Sequence, residues 1–120
     1  MKTCVAYLRF GLVLALIVGL APGLLAQSEQ TLFHNERINA SVLYPNPAQE
    51  YVQLDYHANG VQDLRLVFFN LLGQAVKEVN LDPKERSHRL PVRDLNNGMY
   101  LYQLWADGRS LATKKLIIRH

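Results

Sequence analysis

The sequence has 120 residues, 49% of them apolar and 19% charged, which places it with globular proteins of at most one domain and excludes disordered, collagen-like and coiled-coil chains. Its formal charge of +3 is uneven: beyond residue 26 eleven basic residues face ten acidic ones, a balance without the clustered positive charge that nucleic acid binding needs. Cys4 is the single cysteine and lies ahead of that point, so the rest is expected to hold no disulfide, no thiolate nucleophile and no thiolate metal site.

Residues 1–26 read as a secretory signal peptide. Met1 to Arg9 carries Lys2 and Arg9, Phe10 to Leu20 is an unbroken apolar run, and Ala26 supplies the small residue wanted before a cut at Gln27. The uncharged stretch Phe10 to Ala26 spans 17 residues with Gly19, Pro22 and Gly23 inside it, short of the roughly 20 needed to cross a hydrocarbon core. The Sec translocon and signal peptidase are therefore expected partners, and the remainder is expected to leave the cytoplasm. A secreted chain of this size without disulfides points to a bacterial envelope or extracellular protein. Residues 27–40 are polar without a sustained period and read as a flexible linker or tail.

From Ser41 onward, short runs rich in β-branched, leucine and aromatic residues alternate with turn signals about every ten residues. They predict strands near 41–44, 50–56, 64–70, 74–81, 87–92, 99–106 and 109–118. Seven such strands imply an all-β fold, a seven-stranded immunoglobulin-like antiparallel β-sandwich. Pro45, Asn46 and Pro47 form a stiff corner, because the prolines cannot donate to a ladder. Asn70 to Gly73 has Asn first and Gly fourth in a tight turn. Asp107 and Gly108 both tolerate the positive φ of a two-residue hairpin, and Asn97 and Gly98 are a similar signal ahead of the next strand. Pro91 inside a strand-like run implies a sheet edge. Alternation places Val52, Leu54 and Tyr56 on one face of their strand, and Tyr100, Tyr102 and Leu104 on one face of theirs.

Catalytic chemistry has little support. His34, His57, His88 and His120 lie 23, 31 and 32 residues apart, with no short spacing to seed a metal site. No serine has a nucleophile-elbow context, and the glycines stand singly in turns rather than in a phosphate-cradling loop. The chain is thus expected not to be an enzyme and to need no cofactor. Lys84 to Asp94 mixes basic and acidic residues and reads as a charged edge that discourages strand pairing between molecules.

Four segments stand in order: Leu43 to Ala48, Val67 to Val76, Leu95 to Tyr100, and Lys114 to Ile118. Together they make residues 41–120 similar to the C-terminal sorting domain of the Por, or type IX, secretion system, in its type A form. The resemblance implies a folded export signal in a Gram-negative bacterium. Such a domain travels by the Sec route to the periplasm and is recognised by an outer-membrane translocon. A sortase-like peptidase then removes it and joins the cargo to anionic lipopolysaccharide at the cell surface, or releases it. Family members carry a large cargo ahead of this domain, whereas here only residues 27–40 lie between it and the leader. The expectation is a free-standing sorting module, a gene remnant or an accessory component. The residues expected to carry recognition are Gly98, Met99, Tyr100, Lys114, Lys115, Leu116, Ile117 and Ile118. The competing reading is a small secreted module that binds a glycan or an envelope protein through the basic edge or the tyrosine-rich strand. It predicts an exposed aromatic patch, whereas the sorting reading predicts that Tyr100 and Tyr102 are buried.

Overall fold

The computed structural model describes residues 30–120, so the expected signal peptide and its cut between Ala26 and Gln27 lie outside the described residues. Eight strands follow one another: β1 (Thr31–His34), β2 (Ile38–Ser41), β3 (Tyr51–Ala58), β4 (Leu64–Phe69), β5 (Ala75–Leu81), β6 (Ser87–Pro91), β7 (Gly98–Ala106) and β8 (Arg109–Ile118). They form two four-stranded antiparallel sheets, ordered β1-β2-β3-β6 and β5-β4-β7-β8. Without β1, the order is that of the A-B-E and C′-C-F-G sheets of an immunoglobulin-like sandwich.

Period-2 alternation builds the core. Val52, Leu54 and Tyr56 of β3 face Leu66, Phe68, Tyr100, Tyr102 and Leu104 of the other sheet, and all are buried. Each such side chain removed from water contributes roughly 1.5–3 kcal/mol. The backbone N–H of Leu43, ahead of β3, donates to the Tyr102 hydroxyl at 3.1 Å, tying one sheet to the other. Burial also pushes the Tyr102 phenol above its ordinary value. Pro91 lies in β6, the edge of its sheet, where a missing amide donor costs no ladder bond.

The turns follow their residue chemistry. Asp107 and Gly108 have φ of +49° and +81° between the paired Ala106 and Arg109, the backbone of a type I′ hairpin. At Asn70, the side-chain Oδ1 accepts from the amides of Leu72 (3.0 Å) and Gln74 (2.9 Å), while the amide of Gly73 donates to Asn70 O at 3.0 Å. Gly73 has φ +84°, so a type I turn closes through a bulge and re-enters β5.

Two expectations need correction. The polar stretch read as a linker over residues 27–40 contains β1 and most of β2, so there are eight strands instead of seven. The strand expected over 41–44 ends at Ser41, and beyond it only Tyr44 bridges to Gln53. The cause is local. Asn35 turns the chain by accepting from the amides of Arg37 (2.8 Å) and Ile38 (2.7 Å), and Leu32, Ile38 and Ala40 are then buried. Arg37 anchors the turn through its guanidinium, which donates to the carbonyls of Asn59 and Gly60. Past Ser41, the hydroxyl of that residue accepts from Asp55 N at 3.1 Å and fills a gap in the ladder.

Candidate functional site

The eight residues expected to carry recognition meet in one place, the end of the β7–β8 hairpin. Gly98 pairs with Ile118, Met99 with Ile117, and Tyr100 with Leu116, while Lys115 and Lys114 lie opposite Leu101 and Tyr102. Cross-strand partners share a face, so this register sorts the eight into two groups. Tyr100, Leu116 and Ile118 point inward and are buried. The Tyr100 hydroxyl donates to Asn96 O at 2.7 Å, an arrangement like the tyrosine corner of immunoglobulin-like domains. Met99, Lys115 and Ile117 point outward, with Met99 and Lys115 exposed and Ile117 half-buried. Lys114 shares the inward side with Tyr102 yet remains exposed, because β8 is an edge strand. The two lysines therefore stand on opposite faces. Gly98, at φ +151°, begins β7 from an exposed position with open space around it. Asn97 does not take the positive φ of a hairpin residue; its side chain instead accepts from His120 N at 2.8 Å.

The Pro45–Asn46–Pro47 corner, with cis peptide bonds ahead of both prolines, lies along the outer edge of β8. Asn46 acts there as a substitute strand residue: its Nδ2 donates to Lys115 O at 3.1 Å and its Oδ1 accepts from Ile117 N at 3.0 Å. Ala48 continues the cover in parallel register with Ile118, its N–H donating to Ile117 O at 2.7 Å and its carbonyl accepting from Arg119 N at 2.8 Å. The His120 ring closes the seam, with Nδ1 2.7 Å from Gln49 O and Nε2 2.7 Å from Leu95 O. A bare β8 edge would offer these groups to any passing strand, and the corner occupies them within the molecule.

The Asn70 turn joins the same end of the sandwich. Asn70 and Val76 line a small cleft with Asp94, Leu95, Asn96 and Tyr100. Lys77 donates to both carboxylate oxygens of Asp94 at 3.0 Å, which ties β5 to the segment ahead of β7 and holds the Asp94 carboxyl below its usual range. All four sequence segments singled out above thus converge on one end. Pro45, Asn46 and Pro47 are thus more than the turn residues the sequence implies, and Ala48 and His120 join them although neither is among the residues expected to carry recognition. Asn46 between two prolines was the available signal, since an amide there can replace the lost ladder groups. Among the described residues, no group of three or more His, Cys, Asp or Glu side chains is placed to hold a metal. The arrangement offers shape, two faces and a sealed edge, which suit recognition by another protein.

No curated protein matches the chain. Among solved structures, it is similar to an immunoglobulin-like protein from Pseudomonas aeruginosa, with 13% identity and a TM-score of 0.42 over 73% of this chain and 94% of that one. The family described as the secretion system C-terminal sorting domain matches over residues 42–119, which takes in all four converging segments, and the chain belongs to that family.

Proposed function

We propose that the β-sandwich is a non-catalytic export signal. In this reading residues 1–26 direct the chain through the Sec translocon, signal peptidase cuts before Gln27, and the outer-membrane translocon of type IX secretion recognises the folded domain. A sortase-like peptidase then acts at the surface, with attachment to anionic lipopolysaccharide or release. The observation that carries the reading is the convergence of the Asn46, Asn70 and Asn97 segments with Lys115 on one end of the sandwich. There Asn46 clips the β8 edge, Asn97 holds His120 just past it and Asn70 closes the β4–β5 turn, with no reaction centre built among the described residues. The test inserts a fluorescent protein that folds in the periplasm between Glu29 and Gln30 of the full chain. Cells with a type IX translocon should carry the reporter to the surface or medium, and a translocon-deficient strain should hold it in the periplasm. A folded reporter retained by the competent strain would overturn the reading.

A second reading, a small module that binds a glycan or an envelope protein, draws on a different place. Tyr100 and Tyr102 are buried, so the tyrosine-rich strand offers no aromatic platform. Tyr44 and Tyr51, however, are exposed beside a cleft of about 490 Å³ walled by Pro45, Pro47 and Arg89. Retention of the folded reporter, with tyrosine fluorescence responding to an oligosaccharide titration, would favour it.

A further inference from the structure

The turn between β4 and β5 presents Leu71 and Leu72 at its two central positions, 69% and 84% exposed. Turn centres ordinarily hold Gly, Pro, Asn, Asp or Ser, each for a backbone reason. Here Asn70 and Gly73 already meet those needs, and neither leucine belongs to the buried core. Two solvated leucines that the fold does not use are a cost without a structural return.

They are not isolated. On the outward face of the β5-β4-β7-β8 sheet, Phe69 lies opposite Leu101, and Leu101 opposite Lys115. Because β4 and β7 run antiparallel, Met99 lies beyond Leu101 toward the turn, with Ile117 opposite it. Val76, just past the turn, is also exposed. Leu71, Leu72, Val76 and Met99 account for four of the six large apolar side chains that are exposed among the described residues. A concentration of apolar surface at one end of a small domain marks an interaction site.

Charge narrows the partner. The carboxylates near this end are engaged, Asp94 by Lys77 and Glu78 by Arg65. Lys115, opposite Leu101 on this face, and Arg119 beyond it form no ion pair among the described residues. The apolar tip is thus bordered by uncompensated positive charge, which complements an apolar pocket rimmed by acidic side chains.

We propose that the Leu71–Leu72 tip and the adjoining Met99 face dock into an acid-rimmed apolar pocket on the periplasm-facing part of the type IX translocon. The inference rests on the sorting reading and names the surface through which that reading operates.

The test uses the full chain with the reporter inserted as above and compares the parent with Leu71→Ser/Leu72→Ser and Leu71→Met/Leu72→Met. Export is read as the surface-plus-medium share of the reporter, and folding as the urea midpoint of the purified chain. Loss of the two anchors should cut export about tenfold with the midpoint unchanged, and the methionine pair should restore it, since hot-spot contacts depend on filling a pocket. Export of the serine variant at the parental level would overturn the docking surface while leaving the sorting reading intact. A loss of export accompanied by a fallen midpoint would also overturn it, because the leucines would then act through the fold. Retention of the parent itself would remove the sorting reading and this inference together.

Discussion

At the tip of the last hairpin, Asp107 holds a φ of +49°, and its Oδ1 accepts from the amides of Asp63 at 2.9 Å and Gln62 at 3.1 Å. Those amides, with Arg37 adding a smaller pull, hold the carboxyl below its ordinary range. The Tyr44 hydroxyl and then the Gln53 amide do the same for Asp55, and Lys77 does so for Asp94. A carboxyl depressed in the fold contributes stability above its unfolded value of about 4 and gives it up as pH falls through the folded value. Urea midpoints should therefore fall below about pH 4, and Asp107→Asn, which keeps the acceptor but cannot titrate, should flatten that fall. An unchanged acid limb in the variant would contradict the assignment. The neighbouring Gly108, at φ +81°, gives a separate test. Gly108→Val places a β-branched side chain where L residues rarely go and should cost about 1–3 kcal/mol in the urea midpoint at neutral pH. This pair is legible in the sequence because Asp-Gly is one of the few dipeptides that the turn accepts.

At the scale of elements, the β8 edge depends on a residue far away in the chain. Asn46 and Lys115 are 69 positions apart, yet the Asn46 amide fills two ladder positions on β8. Asn46→Ala removes both hydrogen bonds and should lower stability by about 1–2 kcal/mol. Hydrogen exchange at the Ile117 amide should quicken with it, and unchanged protection there would show that Asn46 does not hold the strand. Asn46→Asp keeps an acceptor for Ile117 but sets a second acceptor against the Lys115 carbonyl, so it should recover only part of the loss. The corner is visible in sequence because two prolines cannot continue a ladder; the clip is not, because no local pattern encodes contact across that separation. β1 and β2 are hidden for another reason. Each has four residues, and buried Leu32, Ile38 and Ala40 are too few to display a period among Glu, Asn and Arg. The longer strands β3 and β7 repeat the alternation often enough to be read directly.

Across the whole molecule, the position of a side chain on one of two sheet faces decides which part of the candidate site can be read by a partner. Lys114 and Lys115 are equivalent in sequence, adjacent and alike in charge, and only the β7–β8 register separates them. Lys115 lies opposite Leu101 on the outward face that continues to Met99 and the Leu71–Leu72 tip, whereas Lys114 lies on the inward side with Tyr102 at the rim of the sandwich. If docking uses the outward face, the two charges are not interchangeable. Both side chains are exposed and unpaired among the described residues, so reversing either charge should leave the urea midpoint within about 0.5 kcal/mol of the parent. Lys115→Glu should nonetheless reduce export of the inserted reporter about fivefold, because a like charge brought against an acidic rim opposes association. Lys114→Glu should change it less than about twofold, since its charge lies off the docking face. Raised salt should narrow the gap between the Lys115→Glu variant and its parent, as screening weakens the rim contact. Equal losses from the two reversals would mean that the partner reads the β8 edge rather than the sheet face, and would move the docking surface from the Leu71–Leu72 end to the strand edge held by Asn46.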